Sequence, residues 1–172
     1  MEYNGGGTDP PGDRKDPSED CIWLGGPEVS YNAREVLENY PMVQGIMKGE
    51  GEESFTELVA YYGKLKERKQ LRDIEGLMFR DENGEIIETE NRPILDLSTV
   101  PFVYEHIEDF QNRIIYYESS RGCPFSCSYC LSSIDKCLRF RKIELVKKEL
   151  QFFIDHEVPQ VKFVDRTFNC KQ

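Results

Sequence analysis

The stretch RIIYYESSRGCPFSCSYC, residues 113–130, decides how the rest of the chain reads. Its first half is an apolar, β-branched and aromatic run, which predicts a strand over 113–119. Its second half spaces three thiols as Cys123-x-x-x-Cys127-x-x-Cys130. Downstream, KIELVKKELQFFIDHE (142–157) sets Ile143, Val146, Leu150, Phe153 and Ile154 on one helical face. QVKFVDRTFN (160–169) then predicts a second strand. Strand, loop, helix and strand in that order make a parallel βαβ unit, with the thiols on the loop at the carboxyl end of its first strand.

The composition narrows what those thiols do. The 22 basic and 32 acidic residues give a net charge of −10, which argues against an extended nucleic-acid surface. No apolar run approaches the roughly 20 residues needed to cross a bilayer. The opening MEYNGGGTDPPGDRKDPSED lacks the apolar core of a secretion signal. The compartment expected is therefore a reducing cytoplasm, where clustered cysteines mean metal or redox chemistry more often than disulfides. Thiolates suit zinc, copper(I) and iron–sulfur clusters. A closed zinc site needs four ligands, and Cys137 is the candidate for the fourth, which would make the segment a zinc-binding interaction module. Three thiols alone suit a [4Fe–4S] cluster with one iron left open. Cys21, Cys137 and Cys170 otherwise read as small apolar residues.

Working outward, residues 1–20 read as a disordered leader rich in Gly, Pro, Asp and Lys. CIWLGG (21–26) is a buried strand stopped by glycines, and SYNAREVLENY (30–40) a short helix capped by Ser30 or Asn32. MVQGIMKGEG (42–51) is a second strand. SFTELVAYYGKLKERKQ (54–70) is a helix with Phe55, Leu58, Val59, Tyr62 and Leu65 on one face and a capping box from Ser54 and Glu57. Asn83-Gly84 marks a β-hairpin turn, and the two prolines of NRPILDLSTVPFVYEHIEDF (91–110) suit a connector with a short helix near 104–110. Chain order at both ends predicts a fragment of a longer protein.

The thiol spacing, with Tyr129 before the last cysteine, Arg121-Gly122 ahead of the first and Pro124-Phe125 after it, resembles the signature of radical S-adenosylmethionine (radical SAM) enzymes. The resemblance implies that Cys123, Cys127 and Cys130 hold a [4Fe–4S] cluster whose open iron chelates SAM, with reductive cleavage to a 5′-deoxyadenosyl radical. It puts Phe125 and Tyr129 along the loop and Asp165 near the SAM ammonium; the plain reading of Asp165 is a strand-end pair or turn cap. Upstream, Gly25-Gly26-Pro27 after one strand and Glu50-Gly51-Glu52 after the next resemble the end of a cobalamin-binding Rossmann-like domain. That domain precedes the barrel in a class of bacterial and archaeal radical SAM enzymes. Glu50 and Glu52 read equally as helix-start carboxylates.

The implied fold is α/β. Residues 21–72 form the C-terminal part of the cobalamin-binding domain, and 73–112 a β-hairpin and connector. Residues 113–172 open a partial (β/α)6 barrel. The implied activity is methylation, cyclisation or rearrangement of a small molecule, with flavodoxin or ferredoxin as electron donor; anaerobic Mg-protoporphyrin ester cyclases are one such subgroup. No catalytic residue is assigned. A radical SAM methylthiotransferase is the alternative enzyme, although Cys21 alone does not supply that family's second cluster.

Overall fold

The computed structural model describes residues 21–63, 70–130 and 137–167. The leader, the end of the 54–70 helix, the 131–136 segment and Cys170 lie outside the described residues. The chain divides into two compact units, Met1–Ile94 and Leu95–Gln172.

The first unit is built on a four-stranded mixed sheet in the order β1-β2-β3-β4. Strand β1 (Ile22–Gly25) runs parallel to β2 (Val43–Met47), with α1 (Pro27–Ser30) and α2 (Ala33–Asn39) between them. After α3 (Glu52–Tyr62), β3 (Leu77–Arg80) pairs antiparallel with β2, and β4 (Ile86–Glu88) with β3. The hairpin thus extends the first sheet, while the connector after Ile94 belongs with the second unit. Ala33, Leu37, Val43, Ile46 and Met78 form one buried cluster, and Leu58, Ile74, Leu77 and Phe79 another. Each of these side chains except that of Ala33 contributes about 1.5–3 kcal/mol by leaving water.

Local details depart from the sequence expectation. Asn32 precedes α2 without a side-chain capping bond, and Ser30 instead donates to the Gly26 carbonyl at 2.8 Å. Helix α3 begins at Glu52, so Ser54 lies inside it and no Ser54–Glu57 capping box forms. Ser54 is fully buried; it donates to the Glu75 carbonyl and accepts from Arg92 Nε at 3.1 Å. Glu57 pairs with Arg92 at 3.0 Å. These residues staple the segment after the hairpin to the helix. Among the described residues of the expected apolar face, Leu58 is buried, whereas Phe55, Val59 and Tyr62 are exposed. At the hairpin, Asp81 accepts from the N–H groups of Asn83 and Glu85, and Gly84 takes the left-handed backbone (φ 82°). These bonds to backbone N–H groups hold the Asp81 carboxyl below its usual range against a desolvation that pushes it up.

In the second unit β5 (Ile115–Tyr117) and β8 (Val161–Phe163) pair in parallel, joined through α4 (Ile143–Asp155). A two-residue ribbon, β6 (Ser120–Arg121) against β7 (Arg139–Phe140), sits between β5 and α4 in the chain. Ile115, Tyr117, Val146 and Phe153 form the core, and Phe102, Tyr104, Ile107 and Phe110 of the connector pack on it. Their rings meet edge-on, as in the Phe102–Phe152 pair at 5.2 Å, the favoured aromatic geometry. Helix α4 buries the middle of the stripe its apolar spacing predicts, through Val146, Leu150 and Phe153, and adds a glutamate to it. Ile143 and Ile154 are exposed, whereas Glu149 is 6% exposed. The reason is an ion pair: Arg141 grips Glu149 with two nitrogens at 2.9 and 2.5 Å, and Tyr117 donates its hydroxyl to Glu149 at 2.6 Å.

Candidate functional site

Parallel pairing brings the carboxyl ends of β5 and β8 side by side, because Tyr117 stands opposite Phe163. Past that register Asp165 reaches back across the pair. Its two oxygens accept from the Ser119 N–H (2.8 Å), the Ser119 hydroxyl (2.5 Å) and the Ser120 hydroxyl (3.0 Å). Asp165 thereby ties the two strand ends together at the root of the cysteine loop.

The loop leaves and re-enters through the β6/β7 ribbon. Gly122, its first residue, has φ 91°, and a Cβ there would stand 2.3 Å from the Cys137 carbonyl oxygen. Only glycine combines that backbone with so close an approach. The Arg121 guanidinium grips Glu118 at 3.0 and 2.7 Å just before it. Gly122→Ala is expected to cost roughly 2–4 kcal/mol, from left-handed strain plus displacement of the returning strand. A fall in thermal midpoint with faster amide exchange in β6 and β7 checks it; an unchanged midpoint refutes the close approach.

On the loop, the Cys130 N–H donates to the Cys127 carbonyl at 3.1 Å, closing a tight turn between those two thiols. Cys123 is half-buried, and its Sγ lies 3.4 Å from the Thr167 hydroxyl. That hydroxyl, then the Phe125 N–H and the charge of Arg166, hold the Cys123 thiol below its ordinary range. Phe125 is 59% and Tyr129 91% exposed, so neither ring packs the loop. No described cysteine is in a disulfide. Among the described residues no three His, Cys, Asp or Glu side chains stand as a preassembled metal site. Ligand sets of this kind close when the metal binds. The donor set nonetheless fits an iron–sulfur cluster: three thiols on one loop, one already biased toward thiolate.

The first unit carries the other predicted residues at the carboxyl edge of β1 and β2, where Gly25 stands opposite Met47. The Gly49 N–H donates to Ser30 Oγ at 3.3 Å and links the two loops. No atom lies within 4 Å of where a Cβ would stand on Gly26, Gly49 or Gly51. This edge therefore presents open backbone that a bulky planar group could approach. Pro27 is the first residue of α1 and Glu52 the first of α3; Glu50 precedes the Gly51 cap. Nearby, an open groove of about 480 Å³ is lined by Tyr31, Arg34, Glu38, Lys48 and Glu88 among others. Lys48 bonds Glu88 at 2.5 Å and holds that carboxyl below its usual range.

Sequence reasoning missed Thr167, the two serines on Asp165 and the Arg141–Glu149 pair. Only the last left a signal, a glutamate inside an apolar helical stripe.

No protein-family model matches the chain. Among curated proteins it is 29% identical over 161 residues to an uncharacterized methyltransferase of Pyrococcus horikoshii, covering 88% of this chain and 34% of that one. It is 33% identical over 118 residues to the anaerobic magnesium-protoporphyrin IX monomethyl ester cyclase of Cereibacter sphaeroides, covering 62% of this chain and 19% of the relative. It is 26% identical over 159 residues to the cobalamin-dependent radical SAM methyltransferase TokK of Streptomyces tokunonensis, covering 86% and 23%. Among solved structures it matches the cobalamin-dependent SAM radical enzyme OxsB with aqua-cobalamin and SAM bound. The TM-score is 0.63 at 24% identity, over 86% of this chain and 21% of OxsB. It also matches TsrM of Kitasatospora setae with cobalamin and a [4Fe–4S] cluster bound, at TM-score 0.59 and 19% identity, over 87% and 31%. The chain thus spans about a third or less of these proteins' lengths. No helix among the described residues is long and apolar enough to cross a membrane. In sequence the chain is thus similar to cobalamin-dependent radical SAM enzymes, and its mixed α/β fold is that of solved members of the class.

Proposed function

We propose that the chain contributes the cluster-binding loop and the cobalamin-facing edge of a radical SAM enzyme. Cys123, Cys127 and Cys130 would hold a [4Fe–4S] cluster with one iron open to SAM. When bound, such a cluster supplies the electron that cleaves SAM to methionine and a 5′-deoxyadenosyl radical. The observation that carries this reading is the loop itself. Three thiols leave the carboxyl end of a parallel strand pair on a pinned base, outside any disulfide. Carboxyl strand ends are where barrels and open α/β sheets place their sites.

The chain's own residues do the positioning. The Ser119–Ser120–Asp165 bonds fix the loop's root, and Gly122 lets the returning strand close on it. Asp165 engages three donors, so its first task is holding the strand ends; a carboxylate has about four acceptor positions, leaving room for one further donor such as the SAM ammonium. The exposed Phe125 and Tyr129 rings are available to cover a bound group. In the first unit, open backbone at Gly26, Gly49 and Gly51 suits a corrin, with Gly25, Pro27, Glu50 and Glu52 flanking it. The reaction class is methylation, cyclisation or rearrangement of a small molecule, fed by a flavodoxin- or ferredoxin-type donor in a reducing cytoplasm.

Anaerobic reconstitution with iron and sulfide tests this. The expected product is a brown chain that carries iron and acid-labile sulfide. A colourless chain that instead takes up stoichiometric zinc would sink the reading.

A further inference from the structure

Thr167 lies beyond the loop in the chain, yet its hydroxyl meets a cluster thiol. It follows β8 by four residues, and its hydroxyl lies 3.4 Å from Cys123 Sγ. Either atom can donate between a thiol and a hydroxyl. A sulfur bound to iron is a thiolate with no proton, so in the loaded protein the hydroxyl must be the donor. We propose that Thr167 donates a hydrogen bond to the Cys123 sulfur and thereby raises the reduction potential of the cluster this loop holds. Thr167 is a positioning residue here: it acts through a ligand and touches neither SAM nor substrate.

The physical argument is one of differential charge. One-electron reduction adds negative charge that spreads onto the cysteine sulfurs. A hydrogen bond to such a sulfur stabilises the reduced form more than the oxidised one, so the potential rises. The geometry also explains why this cysteine is chosen. Cys123 lies next to Gly122, at the pinned root of the loop, where β8's continuation passes; Cys127 is on the exposed part. The Asp165 bonds to Ser119 and Ser120 fix the register that brings Thr167, two residues further on, to the sulfur.

The inference rests on the cluster reading above, and the test separates the two. Wild-type chain, Thr167→Val and Thr167→Ser are reconstituted anaerobically and titrated with dithionite and mediator dyes, following cluster absorbance and the electron paramagnetic resonance signal of the reduced state. Valine keeps the shape and removes the donor; serine keeps the donor. The expected result is equal iron content in all three, a midpoint shifted to more negative potential in Thr167→Val, and a wild-type midpoint in Thr167→Ser. A Thr167→Val midpoint equal to wild type overturns the hydrogen bond and leaves the cluster reading standing. Loss of the cluster from both variants alike also overturns it, since Thr167 would then hold the loop and not the sulfur. A wild-type chain that takes up no iron overturns the cluster reading itself, and this inference with it.

Discussion

Cys127→Ala, reconstituted anaerobically with iron and sulfide, is expected to bind no stable cluster. Its visible absorption and acid-labile sulfide should fall to background, against about four irons per wild-type chain. Cys127 sits in the middle of the set, and its carbonyl closes the turn that carries Cys130. Removing its sulfur leaves two thiols to hold four irons, too few to outcompete solvent and added thiol. Alanine keeps the backbone carbonyl, so the turn survives and the defect is one of ligation. The matched control is Cys137→Ala. If the loop binds iron with three cysteines, Cys137→Ala retains the cluster, because that residue meets the loop through its backbone carbonyl against Gly122. If the site is a four-thiol zinc centre, Cys127→Ala and Cys137→Ala lose metal together. Equal loss from both variants would therefore reject the open-iron arrangement.

The parts of this site legible in the sequence are those fixed by local chemistry. Three thiols on one loop after a β-branched run announce themselves by spacing alone, and α4 by its period. What escaped was set by tertiary partners. Ser54 looks like a helix cap, because Ser–x–x–Glu is the local signature, yet the helix starts earlier and the serine is consumed by Glu75 and Arg92, which flank the hairpin on either side. The connector reads as carrying a short helix near 104–110, and a 3-10 turn forms at Ile107–Phe110; what its broken period hid is that its rings cover the second core. Asp165 could be seen as a strand-end carboxylate, though not that Ser119 and Ser120 would occupy it, since the parallel register is a property of two strands far apart in the chain. Thr167 carried no pattern at all.

Glu149→Ala is the largest stability loss expected from a single side chain outside the loop. Glu149 and Arg141 are 7% and 8% exposed at their side chains, and Glu149 also accepts the Tyr117 hydroxyl. Removing the carboxylate leaves the guanidinium charge unneutralised, still bonded to the Leu97 carbonyl, and takes away the acceptor of the Tyr117 hydroxyl. Leaving one partner of a buried pair costs about 3–5 kcal/mol, a large part of the 5–15 kcal/mol that a domain has. Denaturant midpoint and hydrogen exchange along α4 measure it, and a loss below about 1 kcal/mol would mean that water reaches and compensates Arg141. Replacing the whole group with apolar residues (Arg141→Met, Glu149→Leu and Tyr117→Phe together) should recover much of the loss, because the desolvation cost of the charges disappears with them. The same cluster sets an alkaline limit. Burial, then the bond to Glu149, pushes the Tyr117 phenol above its ordinary value. A raised pKa in the folded state contributes stability that is fully present below about pH 10 and lost as pH climbs through the raised value. Tyr117→Phe should flatten that alkaline fall while lowering stability at neutral pH. A Tyr117→Phe chain that keeps the wild-type alkaline slope would assign the fall to other tyrosines.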